Sequence, residues 1–440
     1  MREQLAAKGV SSETFRCAMV EAPFDWIDPT NHDTIQLAVT PLPASGEEAP
    51  IGTLLGNPGG PGLSGVELAY SLALTPAFAP VMERYDVLGF DPRGIHRSTP
   101  IECEVESGLL ELQLALCAKD QPLALSMGTL QGARDMELLR HLMGDDALHY
   151  AGFSYGTVIG ASYSTLFPER VGRLLLDSAW PSDWASLLAD YRQSSAFARE
   201  TALMLAGCGI EYAARACPID GEEALLEARR RLDEAPLIAS DGTPIDGTML
   251  NDYLGSGLYG LASGRGQVLD TVARALAGEQ EGIDDLAAEM RGDGVRIGLN
   301  GIFVRCHSFP SDPGIAEVIE HIERTGLPPS LGGPEITDDT LRPYLSLSCD
   351  GLPNSGGDYV RFSGSPSATI LVIGITGDHA TPYEGSQQLV RELGNARLLT
   401  LEASGHIASF SNRSACADAA ASAYLLEGEL PPEGTVCAAD

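Results

Sequence analysis

Positive charge is scarce in this chain of 440 residues. Against 61 Asp and Glu stand 28 Lys and Arg, giving a formal net charge of −33, and Lys8 and Lys119 are the only lysines. Such a surface repels nucleic acid, anionic membranes and polyanionic substrates, so those partners are excluded first. No run of about 18 apolar residues occurs, so no membrane span is expected. Met1-Arg2-Glu3-Gln4 leads into no apolar stretch, and no signal peptide is visible. HExxH, EF-hand and P-loop patterns are all missing, so neither a metal nor a nucleotide cofactor is expected. Internal repeats and low-complexity tracts are absent too, which removes solenoids and linkers.

Cysteine, in contrast, is plentiful, with nine residues. No pair has the C-x-x-C spacing of a zinc site or redox dithiol. Several fall into short-range couples: Cys103 with Cys117, Cys208 with Cys217, and Cys416 with Cys437, leaving Cys306 with Cys349 as a fourth. Four disulfides in an exported protein, secreted or in the cell envelope, are expected, with the leader lying outside this sequence. Cys17 is left over.

The length suits one large core with a sizeable insertion. Residues 17–44 read as a hairpin, Cys17 to Trp26 and Thr34 to Thr40, turning at Asp28-Pro29-Thr30-Asn31. Short apolar strands follow at Ile51–Leu55, Tyr85–Phe90, Leu148–Ala151 and Val171–Leu176, with helical periodicity at Arg134–Met143 and Thr157–Phe167. From about residue 184 the rhythm changes. Glu222–Asp233, Val268–Ala277 and Ile315–Arg324 read as helices with few strand signals between them. Strand and helix alternate again at Thr369–Ile375, Gln387–Leu393 and Arg397–Leu401. The expected fold is α/β: a mostly parallel sheet with helices on both faces. Its core is split into residues 1–183 and 368–440 by a large helical cap insertion at 184–367.

Gly152-Phe153-Ser154-Tyr155-Gly156 carries the chemistry. A G-x-S-x-G pentapeptide between a buried strand and a helix makes a sharp turn that exposes a serine hydroxyl at the carboxyl end of a parallel sheet. The flanking glycines leave room that Cβ atoms would fill. Serine is a poor nucleophile until a base takes its proton and a carboxylate orients that base. In this fold the order along the chain is serine, acid, histidine. Asp378, after the Thr369–Ile375 strand, and His406, after Arg397–Leu401, occupy the expected strand ends. Their rivals are Asp177, read as shaping the crossover into the insertion, and His379. The oxyanion donors expected are the backbone amides of Tyr155 and of Gly60 or Gly59 in the Gly56–Gly62 loop. Asp91-Pro92-Arg93-Gly94 is read as a structural anchor beneath the site.

Asn57-Pro58-Gly59-Gly60-Pro61-Gly62-Leu63-Ser64-Gly65, Asp91-Pro92-Arg93-Gly94, Gly152–Thr157 and Asp378-His379-Ala380-Thr381-Pro382 resemble the secreted tripeptidyl-aminopeptidase branch of the α/β-hydrolases, related to prolyl aminopeptidases. The likeness runs from about Cys17 to Cys437. It implies an α/β-hydrolase core with a helical cap at 184–367, export, and release of short peptides or residues from free N-termini; the serine, acid and histidine predict an acyl-enzyme mechanism. Members that hydrolyse esters or other amides make a small acyl substrate the alternative. Two positions depart from the pattern. Ser308 stands two residues after Cys306, where relatives often carry an acid; if that acid holds a substrate ammonium, its loss favours the esterase reading. His96 is expected near the pocket mouth. A non-enzymatic binding protein on this scaffold is disfavoured, because all three triad positions are filled. The sequence sets no oligomeric state.

Overall fold

The computed structural model describes residues 16–28, 30–103, 109–212, 214, 217–291, 298–310, 314–337, 340, 349 and 351–440. In chain order the strands are β1 (Ala18–Pro23), β2 (Thr34–Leu42), β3 (Thr53–Asn57), β4 (Asp86–Phe90), β5 (Leu148–Phe153), β6 (Val171–Asp177), β7 (Leu237–Ile238), β8 (Pro244–Ile245), β9 (Ile370–Gly377), β10 (Ala396–Ser404) and β11 (Val436–Ala438). Nine of these form one sheet in the order β1-β2-β4-β3-β5-β6-β9-β10-β11. The β1–β2 and β2–β4 pairs are antiparallel, and every later neighbour pair is parallel. From β3 the chain first crosses to β4 on one side and then returns to β5 on the other. Ligands in such sheets bind where the order reverses, at the carboxyl ends of the strands. The loops after β3 and β5, the Gly-Pro loop and the pentapeptide, therefore meet at that crevice.

The strands read as nearly continuous apolar runs because both faces are covered. Alternate residues divide between two cores. Leu55, Leu88, Leu174, Leu176, Ile370 and Val372 join one. Their neighbours Leu54, Val87, Leu175, Leu371, Ile373 and Ile375 join the other. A third core, from Met204 to Ala287, is separate from both. It belongs to the segment between β6 and β9. That segment holds helices Leu187–Ala206, Gly221–Glu234, Gly247–Tyr259, Arg265–Leu276, Gln280–Arg291, Leu299–Ser308 and Ile315–Thr325, plus the short antiparallel pair β7–β8.

One helix starts earlier than its periodicity predicts. Thr129–Met143 begins five residues before Arg134. Its N-cap, Gly128, has no side chain with which to cap, and the backbone N–H of Leu130 instead donates to Asp358 Oδ2 at 2.9 Å. The capping carboxylate comes from 228 residues away, so no local start signal exists to be read.

All four expected disulfides form. Cα separations are 5.5 Å for Cys103–Cys117, 5.7 Å for Cys208–Cys217, 5.3 Å for Cys306–Cys349 and 5.7 Å for Cys416–Cys437. Cys17 is free and exposed. Among the described residues no single helix is long and apolar enough to cross a membrane.

Candidate active site

β5 delivers the chain to Ser154, whose φ of 56° and ψ of −126° lie where few L-residues sit. Several bonds hold this turn. Ser154 N–H donates to Asp177 O at 3.0 Å, and Thr157 N–H donates back to Ser154 O at 2.9 Å. Tyr150 Oη donates to Gly156 O at 2.7 Å. Helix Tyr155–Leu166 then starts at once, which points its first backbone amides toward the serine. The two glycines are sterically required. A Cβ on Gly152 would strike the carbonyl of Gly156, and one on Gly156 would strike the carbonyl of Asn57. Gly156→Ala is therefore expected to cost about 2 kcal/mol or more of stability and most of the activity. Urea denaturation and steady-state turnover check this; a fully stable, fully active variant would show the packing to be looser than described.

The Gly-Pro loop presses on the elbow from β3. A Cβ on Gly59 would lie 2.6 Å from Phe153 O, 2.8 Å from Ser154 Cβ and 2.9 Å from Tyr155 N. Gly59 N–H already donates to Asn57 Oδ1 at 2.9 Å. The role of Gly59 is thus close approach, and Gly60, which lines the cavity beside Ser154, is left as the loop's candidate donor.

Asp378 and His406 come together from the ends of β9 and β10. His406 Nδ1 lies 3.0 Å from both carboxylate oxygens of Asp378. Asp378 is wholly buried and also accepts from Ala380 N–H at 2.9 Å, Thr381 N–H at 2.9 Å and Thr381 Oγ1 at 2.8 Å. Burial pushes its pKa up, but His406 and these donors outweigh burial and hold it below the usual aspartate value. An ionised Asp378 can only accept. The proton between the pair therefore sits on His406 Nδ1, leaving Nε2 with the lone pair a base requires. Ser154 and His406 line one cavity of about 1190 Å³.

Asp177, the rival acid, serves a different purpose from the crossover role its position suggests. Its carboxylate accepts from Ala408 N–H at 3.1 Å, Ser409 N–H at 2.7 Å and Ser409 Oγ at 2.6 Å. It fixes the loop just beyond His406, and Ser178 Oγ accepts Ile407 N–H beside it at 3.0 Å. Burial outweighs these donors and raises the Asp177 pKa overall, whereas at Asp378 the opposing groups win. His379 lines the cavity, but among the described residues its ring nitrogens touch no carboxylate.

Two sequence expectations are corrected. His96 is exposed and does not line the cavity, because the turn after Asp91 carries it to the surface. Ser308 does not line it either. Helix Leu299–Ser308 offers Ile302 and Arg305 to the cavity, and by its last turn Ser308 faces a separate small pocket with Ser162, Ser182 and Asp358. The missing acid at 308 therefore says nothing about an ammonium in the main cavity.

The cavity wall contributed by the insertion could not be read from sequence. Among the described residues its carboxylates are Asp190, Glu222 and Asp252, set against the guanidinium groups of Arg229 and Arg305. Arg305 is ion-paired with Asp190. Burial pushes Asp190 up to about 6 against the pull of Arg305. None of these side chains stands in a motif; only the folding of the insertion helices over the sheet brings them to Ser154.

Residues 52–202 match the model of the alpha/beta hydrolase fold, and residues 339–437 match that of TAP-like proteins. Serine protease Hip1 of Mycobacterium tuberculosis is 28% identical over 473 residues, covering 96% of this chain and 87% of that protein. Carboxylesterase B of the same organism is 29% identical, covering 97% and 86%. Tripeptidyl aminopeptidase of Streptomyces lividans is 25% identical, covering 99% and 86%. With its strand–elbow–helix geometry and these matches, the chain has the α/β-hydrolase fold and is a serine hydrolase, with a TAP-like segment at residues 339–437.

Proposed function

We propose that this protein is an exported aminopeptidase that works through an acyl-enzyme. The observation that carries the reading is the single cavity that joins Ser154 and His406 to the carboxylates Asp190, Glu222 and Asp252. Among the described residues carboxylates outnumber guanidiniums on that wall, which suits a substrate bearing a free α-ammonium group. Residues 184–367 act as a cap that limits access to chain ends. The names of two relatives, a serine protease and a tripeptidyl aminopeptidase, agree with peptide substrates. Four disulfides agree with an oxidising compartment.

In this mechanism His406 Nε2 takes the Ser154 hydroxyl proton as Oγ attacks the scissile carbonyl. The developing oxyanion is met by the Tyr155 and Gly60 amides. Collapse of the tetrahedral intermediate breaks the C–N bond, and the imidazolium returns its proton to the leaving amine. Asp378 stabilises the imidazolium throughout. Water then attacks the acyl-enzyme with His406 again as base, restoring Ser154.

A matched substrate panel tests the reading: peptide amides with free N-termini, the same peptides N-acetylated, and simple acyl esters. Free peptides are expected to be preferred over acetylated ones by about 10- to 100-fold in kcat/KM, the effect of one desolvated charge pair. Glu222→Gln is expected to shrink that preference. The alternative, an esterase or amidase on a small acyl substrate, has support in the relative named carboxylesterase B. Ester turnover with no free-amine preference would establish it and retire the aminopeptidase.

A further inference from the structure

Beside Asp378 and His406 lies a histidine that the mechanism leaves unused. His379 follows Asp378 at the carboxyl end of β9, is 1% exposed, and lines the cavity. Among the described residues neither ring nitrogen has a hydrogen-bond partner. The ring is nevertheless held in place. It packs edge-on against Tyr259 at a centroid distance of 4.4 Å, with Phe197 at 6.4 Å and His406 at 6.0 Å. Apolar packing fixes the imidazole while its polar atoms stay idle. Each buried donor or acceptor without a partner costs about 1–3 kcal/mol, and such groups call for a specific explanation.

We infer that His379 is a substrate-positioning residue, whose imidazole exchanges a hydrogen bond with a backbone amide of the peptide held in the cavity. This rests on the peptidase reading above. A neutral imidazole carries one N–H donor and one lone-pair acceptor, the complement of a peptide group's C=O and N–H. His379 is kept neutral. Burial lowers its pKa most, and the nearby His406, Arg265 and Arg413 lower it further against Asp378, to about 3. At any pH where His406 serves as a base, His379 is therefore uncharged and does not repel a cationic N-terminus. Without a carboxylate on either nitrogen it also lacks what a second general base needs.

The test compares wild type with His379→Phe, which keeps the aromatic packing, and His379→Gln, which keeps a donor and an acceptor. Each is assayed on a free-N-terminus peptide amide and on a small acyl ester with no backbone amide. The ratio of kcat/KM for peptide over ester is expected to fall about 10- to 100-fold in the Phe variant, mostly through KM, and to recover in part in the Gln variant. The acid limb of the pH–rate profile should stay where it is in both. Equal losses on peptide and ester, or a fall confined to kcat, would assign His379 a structural duty and overturn the proposal. So would an unchanged ratio, or loss of the acid limb. Wild type that turns over esters but not peptides would instead bring down the peptidase reading, and this proposal with it.

Discussion

Ser154→Ala is expected to lose about 10⁴- to 10⁶-fold in kcat on every substrate the wild type turns over. Ser154 is held in a strained conformation by a bond to the end of β6 and one from its own helix, and the turn sets it on the cavity wall. His406→Ala should fall as far, and the double variant scarcely further, since nucleophile and base act as one unit. Asp378→Asn should lose about 10⁴-fold, because an amide in place of the carboxylate favours the wrong imidazole tautomer. Asp177→Asn separates the two acids. Its carboxylate touches the backbone of Ala408 and Ser409 and not the ring of His406, so it should lower stability more than the chemical step. Steady-state kinetics on proteins checked for folding decide the matter. A cleanly purified Ser154→Ala enzyme with near-wild-type turnover would falsify the mechanism.

Arg93→Ala is expected to cost about 3–5 kcal/mol of stability, among the largest effects available to one side chain here. The Arg93 side chain is 1% exposed and its partner Asp135 is 0% exposed. Two parallel bonds join them, Nε to Oδ2 at 2.8 Å and a terminal nitrogen to Oδ1 at 2.7 Å. The remaining N–H groups reach the carbonyls of Phe24, Ser126 and Pro23 at 2.9, 3.1 and 3.2 Å. Asp135 also accepts the Trp26 indole N–H at 2.8 Å. One guanidinium thus ties the end of β1, the loop after β4 and helix Thr129–Met143 together. Removing it leaves a buried carboxylate with no counter-charge and three carbonyls without their donor. Replacing both members by apolar residues, Arg93→Met with Asp135→Leu, should cost less than Arg93→Ala, because no lone charge is then buried. Urea denaturation reads both. If the single change costs under 1 kcal/mol, water must reach the pair and the anchor is weaker than its burial implies.

Much of the site was legible because its chemistry depends on short, sterically demanding segments. The G-x-S-x-G turn needs glycine where neighbouring carbonyls leave no room, and the Gly-Pro loop needs it where backbone touches backbone at Ser154. Asp378 and His406 were proposed from chain order and from strands that end just before them, and the two side chains meet at 3.0 Å. Three disulfide couples followed from proximity in sequence, which makes their short loops cheap to close, and Cys306–Cys349, 43 residues apart, was the pair left over. These features are determined within a few residues of themselves, so one sequence suffices to read them. Other features needed the tertiary structure, because each depends on groups distant in sequence meeting in space. Asp358 caps a helix that begins at Thr129. Asp177 braces a loop 231 residues further on. His379 is buried against Tyr259 and Phe197 and, among the described residues, its ring nitrogens have no partner. The carboxylates that share the cavity with Ser154 likewise arise on separate insertion helices whose individual patterns specify an apolar face and a solvent face, and not which turn will line the cavity.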